Sequence, residues 1–103
     1  MKLNSFSPIP NNDEELHLPE LIYAASLGEI ELVEQLLSQG IDPNQTDEEG
    51  YSALHAAAEN DHLEIVKLLV NQGADAHYKS KYTALELAEM ANNKEIVEYL
   101  KKL

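Results

Sequence analysis

At 103 residues and 11.5 kDa the chain has room for one domain, and 44% hydrophobic with 25% charged residues are the proportions of a soluble globular protein. Nineteen acids against seven lysines, a formal net charge of −12, argue against nucleic acid as a partner, because phosphate binding needs a basic surface. The absence of cysteine removes disulfides, zinc–thiolate sites and a cysteine nucleophile, and it fits a reducing compartment.

In chain order, residues 1–18 come first. Pro8, Pro10, Asn11 and Asn12 are followed by Asp13, Glu14 and Glu15, a mixture that predicts an extended or turn-rich arm. It has no apolar run of signal-peptide length. Nowhere is there a stretch of about 18 apolar residues to span a bilayer, so a cytoplasmic protein without a membrane partner is expected. Charge is uneven: residues 1–48 hold one Lys and ten acids, residues 49–103 six Lys and nine acids.

From Pro19 the pattern turns helical and repeats itself. Ala24-Ala25-Ser26-Leu27-Gly28-Glu29-Ile30-Glu31-Leu32-Val33 recurs 33 residues on as Ala57-Ala58-Glu59-Asn60-Asp61-His62-Leu63-Glu64-Ile65-Val66. Leu36-Leu37-Ser38-Gln39-Gly40 pairs with Leu69-Val70-Asn71-Gln72-Gly73 at the same offset. A third copy opens at Tyr82-Thr83-Ala84-Leu85, parallel to Tyr51-Ser52-Ala53-Leu54, and closes in Glu95-Ile96-Val97-Glu98-Tyr99-Leu100. Its offset is 31, so two residues are missing between the second and third copies.

Each copy predicts the same order of elements. Ser52 or Thr83 caps a helix start, its hydroxyl accepting from a free amide of the first turn. A short Ala-rich helix follows over Ala53–Glu59 or Ala84–Ala91, with side chains small enough for close helix packing. A polar turn, Asn60-Asp61-His62 or Asn92-Asn93-Lys94, leads to an amphipathic helix whose Leu63, Val66, Leu69 and Val70 share one face. Gly40 and Gly73 read as left-handed C-caps, and Gly50 as the pivot of a tight loop.

Units of this kind bury their apolar faces only by stacking. Ser52-Ala53-Leu54-His55-Ala56-Ala57 and Thr83-Ala84-Leu85-Glu86-Leu87-Ala88 resemble the ankyrin repeat and its T-P-L-H-x-A signature. The resemblance covers residues 19–103. It implies an all-α fold, an ankyrin-repeat α-solenoid of three helix-turn-helix repeats with short hairpin-like loops, at about 19–46, 47–79 and 80–103. Two departures matter. The signature's proline is Ala53 and Ala84, which helix starts tolerate, and its histidine is Glu86 in the third copy, so that hairpin is expected to be braced differently. The loop from Asp75 to Thr83 lacks the Asp47–Gly50 pattern and is expected to be shorter. Leu16, Leu18 and the arm before them are expected to cover one end of the stack. Glu89, Asn92, Asn93, Lys94, Glu98, Lys101 and Lys102 are expected to seal the other as a polar outer surface.

Catalytic chemistry finds little support. His17, His55, His62 and His77 show no HExxH or other metal-ligand spacing, and His55 and His62 hold repeat positions. There is no G-x-S-x-G, and Ser52 serves as a cap. Gly28, Gly40, Gly50 and Gly73 follow the repeat rather than clustering as a phosphate loop. No enzyme activity, cofactor or metal is expected.

The resemblance instead implies protein binding at a concave face of loop tips and outward sides of the first helices. On this chain those positions are Ser26, Leu27 and Thr46, then Glu48, Glu49, Tyr51, Glu59 and Asn60, then Lys81, Tyr82, Met90 and Ala91. Tyr51 and Tyr82 serve either as interface anchors or as hairpin packing. The acids serve either as a contact for a basic partner or as a solvated surface. The expected function is that of an acidic interaction module, monomeric when free, that binds and regulates or inhibits a basic protein, with an immunity protein as its sharpest form. The alternative is a scaffold or adaptor subunit that binds through an aromatic and apolar concave face.

Overall fold

The computed structural model describes residues 19–103; the arm expected at 1–18, with Leu16, Leu18 and His17, lies outside the described residues. Six helices follow one another among the described residues: α1 (Glu20–Leu27), α2 (Ile30–Ser38), α3 (Ala53–Glu59), α4 (Leu63–Asn71), α5 (Ala84–Ala91) and α6 (Lys94–Lys101). Among the described residues the only β pairing is two isolated antiparallel bridges, Thr46–Ser52 and Lys79–Thr83. The fold is the all-α repeat solenoid that the sequence predicts, and the predicted limits of α3 and α5 agree residue for residue.

Local chemistry explains where the first helices start and stop. Ser52 Oγ accepts from the His55 amide at 3.2 Å, and Thr83 Oγ1 accepts from the Glu86 amide at 3.1 Å. Each is the outer half of a capping box and satisfies an amide that the helix itself leaves free. α1 has no such side chain; the Pro19 carbonyl receives the amides of Ile22 and Tyr23 at 3.0 and 3.1 Å. All three helices end the same way. The amides of Glu29, His62 and Asn93 return to the carbonyls of Ala24, Ala57 and Ala88 at 3.0, 2.9 and 2.9 Å. That closure needs a left-handed residue just before it. Gly28, Asp61 and Asn92 supply it at φ 80°, 65° and 62°, and Asp and Asn tolerate this region better than most side chains.

The stack has two layers. α1, α3 and α5 pack side by side, and α2, α4 and α6 back them. The first layer is cemented by alanine: Ala24, Ala25, Ala53, Ala56, Ala57, Ala58, Ala84 and Ala88 are all buried. Their small side chains bring the helices close enough for the second layer to fill the remaining space. Val33, Leu36, Ile65, Val66, Leu69, Ile96 and Leu100 do so, each large one contributing about 1.5–3 kcal/mol of burial. One detail departs from the predicted α4 face. Ile65 is buried, whereas Leu63 and Val70 are only partly so, because a middle helix is covered from both sides and its apolar stripe is wider than one seam.

The two loops differ as their lengths require. Between Thr46 and Ser52, Asp47 organises a tight turn: its amide donates to the Tyr51 carbonyl, and its Oδ1 accepts from the Glu49 and Tyr51 amides, all at 2.9 Å. In the shorter loop between Lys79 and Thr83, Ser80 N–H donates to the Tyr82 carbonyl at 3.3 Å.

Four side chains sew neighbouring repeats together. His55 Nε2–H donates to the Tyr82 carbonyl at 2.7 Å. His62 Nε2–H donates to the Ser26 carbonyl at 3.2 Å. Asn93, 31 residues further on, repeats the His62 contact by donating to the carbonyls of Ala58 at 2.8 Å and Glu59 at 3.3 Å. Asn44 donates to the Gly73 carbonyl at 3.1 Å and accepts from the Asp75 amide at 2.8 Å. Asn93 is therefore turned into the stack, not part of the polar outer surface expected of it. Glu86, standing where the second repeat has histidine, accepts from the Thr83 amide at 2.9 Å; it braces its own helix start and makes no bond to another repeat.

Candidate protein-binding surface

The predicted positions fall on the loop tips and on the outward ends of α1, α3 and α5. Glu48 and Glu49 are exposed at the tip of the Thr46–Ser52 loop, and Glu59 and Asn60 are exposed at the end of α3. Leu27 ends α1 with 53% of its surface exposed, and Met90 stands near the end of α5 with 59% exposed. Lys81 is exposed, and its Nζ lies 6.0 Å from the ring centre of Tyr82. Thr46 is half-buried in the bridge to Ser52, which leaves little of its side chain to present.

Some of these groups are already engaged. Tyr51 donates its hydroxyl to Glu59 Oε1 at 2.6 Å, and its ring lies tilted beside His55 with centroids 5.8 Å apart. Burial first, then the Glu59 hydrogen bond and the charges of Glu59 and Asp47, hold the Tyr51 phenol well above its ordinary value. Tyr51 is thus hairpin packing with one edge at the surface. Asn60 donates to the Ala56 carbonyl at 2.8 Å. Ser26, half-buried, donates to the Tyr23 carbonyl at 2.9 Å.

Beneath this surface sits His55, only 1% exposed. Its Nε2 faces a carbonyl and must carry the proton, so Nδ1 is the acceptor, taking the Ser52 hydroxyl at 2.6 Å. Burial lowers its pKa; the Tyr82 carbonyl and the charges of Glu59 and Asp47 oppose that only in part. The neutral ring is packed edge-on by Tyr78, with centroids 5.5 Å apart, and the Tyr78 hydroxyl donates to the Gly50 carbonyl at 2.8 Å. A Cβ at Gly50 would meet that hydroxyl at 2.9 Å. Tyr78 escaped the sequence reading because its partners are 23 and 28 residues away, at the other end of the same copy. Tyr23 escaped it too. It is 53% exposed on α1, where the second repeat has fully buried Ala56, and one helical turn separates it from Leu27. A tyrosine at a repeat position that the second copy fills with Ala56 and the third with Leu87 was the available signal.

Charge divides the surface. From Pro19 to Val66 there are eleven acids and no lysine; all six described lysines follow from Lys67 onward. Among the described residues no group of three or more His, Asp and Glu side chains is arranged to hold a metal, and no helix is long and apolar enough to cross a membrane.

Paired helices stacked in two layers define a helical repeat protein. The family model for ankyrin repeats, in three copies, matches residues 21–103, and the chain belongs to that family. No curated protein shows significant similarity to it. Ankyrin repeats are protein–protein interaction modules, typically without enzymatic activity.

Proposed function

We propose that this chain is a small acidic ankyrin-repeat protein of the cytoplasm, monomeric when free and without enzymatic activity, that binds a basic protein and regulates or inhibits it. The observation that carries this reading is the lysine-free surface from Pro19 to Val66, with Glu48 and Glu49 at a loop tip. Such a surface attracts a basic partner over distances of about a Debye length, speeds its encounter and repels nucleic acid. It also suits an inhibitor that occupies a site evolved for phosphates, which is the job of an immunity protein against a basic toxin or nuclease. The chain contains no arginine, so the guanidinium anchors common in interfaces come from the partner.

A second reading, a scaffold or adaptor subunit, is favoured by the exposure of Leu27, Tyr82 and Met90. Affinity capture from the source cell at low and high salt separates the two. The inhibitor reading predicts a basic partner that is released by salt and weakened more by E48Q/E49Q than by L27S/M90S. A partner retained at high salt, with the opposite ranking of variants, supports the scaffold and contradicts the inhibitor.

A further inference from the structure

We propose that the outer edge of the third repeat, lined by Tyr82, Glu86, Glu89 and Met90, is a pocket for an arginine side chain of the protein partner. This rests on the reading that the chain binds a basic protein. The second repeat shows what the same edge looks like when covered. Its equivalents, 31 residues earlier, are Tyr51, His55, Ala58 and Glu59. His55 and Ala58 are buried there; His55 donates to the Tyr82 carbonyl, and Asn93 reaches the Ala58 carbonyl. Among the described residues nothing covers the same edge of the third repeat, which is a shallow pocket of about 330 Å³, with Tyr82 39% and Met90 59% exposed.

The chemistry of the edge has also been inverted. Where His55 offers a donor, Glu86 offers a carboxylate, and where Ala58 offers a methyl group, Glu89 offers a second. Glu86 Oε1 accepts from the Thr83 amide, and an ionised carboxylate has capacity for further donors. A backbone carbonyl, which covers His55, would be repelled here. The occupant must donate hydrogen bonds, carry positive charge, and lie against an aromatic ring and a thioether. A guanidinium meets all three conditions: it is a planar fork of donors, weakly hydrated, that pairs with carboxylates and stacks on aromatic faces. Glu86 and Met90 stand four residues apart on one face of α5 with Glu89 beside Met90, and Tyr82, which precedes the helix, lines the same pocket, so ring, carboxylates and sulfur meet at one place. The Tyr82 ring already has a cation near it, the Lys81 ammonium at 6.0 Å, and Lys81 competes with the incoming side chain.

The test is methyl-detected NMR of the full 103-residue chain, titrated with the capped hexapeptide (Gly-Arg)₃ and, separately, with (Gly-Lys)₃. The Met90 methyl and Tyr82 ring signals are expected to shift saturably, with the arginine peptide bound about fivefold more tightly than the lysine peptide. E89Q, at an exposed position, is expected to weaken arginine binding about threefold, and K81A to strengthen it about twofold. An unmoved Met90 methyl, equal affinity for the two peptides, or binding indifferent to both variants overturns the proposal. A response confined to the amides of Glu48 and Glu49 also overturns it, while leaving a basic partner in place; the capture experiment judges that broader reading separately.

Discussion

The imidazole of His55 donates to the carbonyl of Tyr82 at 2.7 Å, so the signature helix of the second repeat is fastened to the loop of the third by a single buried proton. Because the ring's other nitrogen accepts from Ser52, only the neutral form satisfies both partners. The unfolded chain protonates this histidine near its ordinary value of 6.5, and the folded chain only below it. The stabilisation is therefore whole above pH 6.5 and is lost as pH falls beneath it. Urea denaturation is expected to show a midpoint that drops between pH 7 and 5.5. His55→Ala is expected to remove most of that dependence and to cost about 2–4 kcal/mol at neutral pH. A pH dependence unchanged in the variant would show that the buried ring does not carry it.

Tyr51 titrates in the opposite direction. Its phenol is held above the ordinary 10.0, first by burial and then by Glu59. Its contribution is whole below pH 10 and is lost as pH rises beyond it. An ultraviolet tyrosinate titration is expected to show an ionisation step above pH 10 that Tyr51→Phe removes. The same variant is expected to cost about 0.5–1 kcal/mol. A large loss of partner binding in Tyr51→Phe, with stability unchanged, would instead make the hydroxyl an interface group.

Gly28 answers to two demands at once. It sits at φ 80°, and a Cβ there would lie 2.6 Å from the His62 ring. Gly40, at φ 94°, has nothing within 4 Å of the same position. Gly40→Ala is expected to cost about 1–2 kcal/mol from backbone strain alone. Gly28→Ala is expected to cost about 1 kcal/mol more, because His62 must leave the Ser26 carbonyl. Equal midpoints in denaturation would show that the ring gives way without loss.

Asn93 and His62 occupy the same repeat position and make the same kind of tie through different chemistry. Asn93→Ala is expected to destabilise by about 1–2 kcal/mol, since the Ala58 carbonyl loses its donor, and Asn93→His to recover most of it. Thermal unfolding of the three proteins decides this; a histidine variant as weak as the alanine variant would contradict the equivalence.

The helices and their caps were legible because each is written within one copy: Ser52 and Thr83 lie three residues from the amides they cap, and Gly40 and Gly73 take the expected left-handed backbone just past α2 and α4; the left-handed Asp61 and Asn92 inside the polar turns were not anticipated. The surface was less legible. Leu27 and Met90 stand exposed as expected, and Glu48 and Glu49 occupy their loop tip. The pairing of Tyr51 with Glu59, the seating of Tyr78 on His55 and Gly50, and the inward turn of Asn93 depend on distances across a turn or between copies. A periodic pattern records which positions repeat, not which side chains meet where two repeats touch. Glu86 marks the same boundary. Its departure from histidine and its capping-box spacing from Thr83 both stand in the sequence; its place at the edge of the stack does not.

The most direct measurement of the acidic surface is the association rate constant of the captured partner as ionic strength is raised from about 20 to 200 mM, for the natural chain and for E48Q/E49Q. Steering by this surface predicts a fall of about tenfold or more for the natural chain and a shallower dependence for the variant. A rate that changes less than about twofold over that range, or a variant indistinguishable from the natural chain, would contradict it.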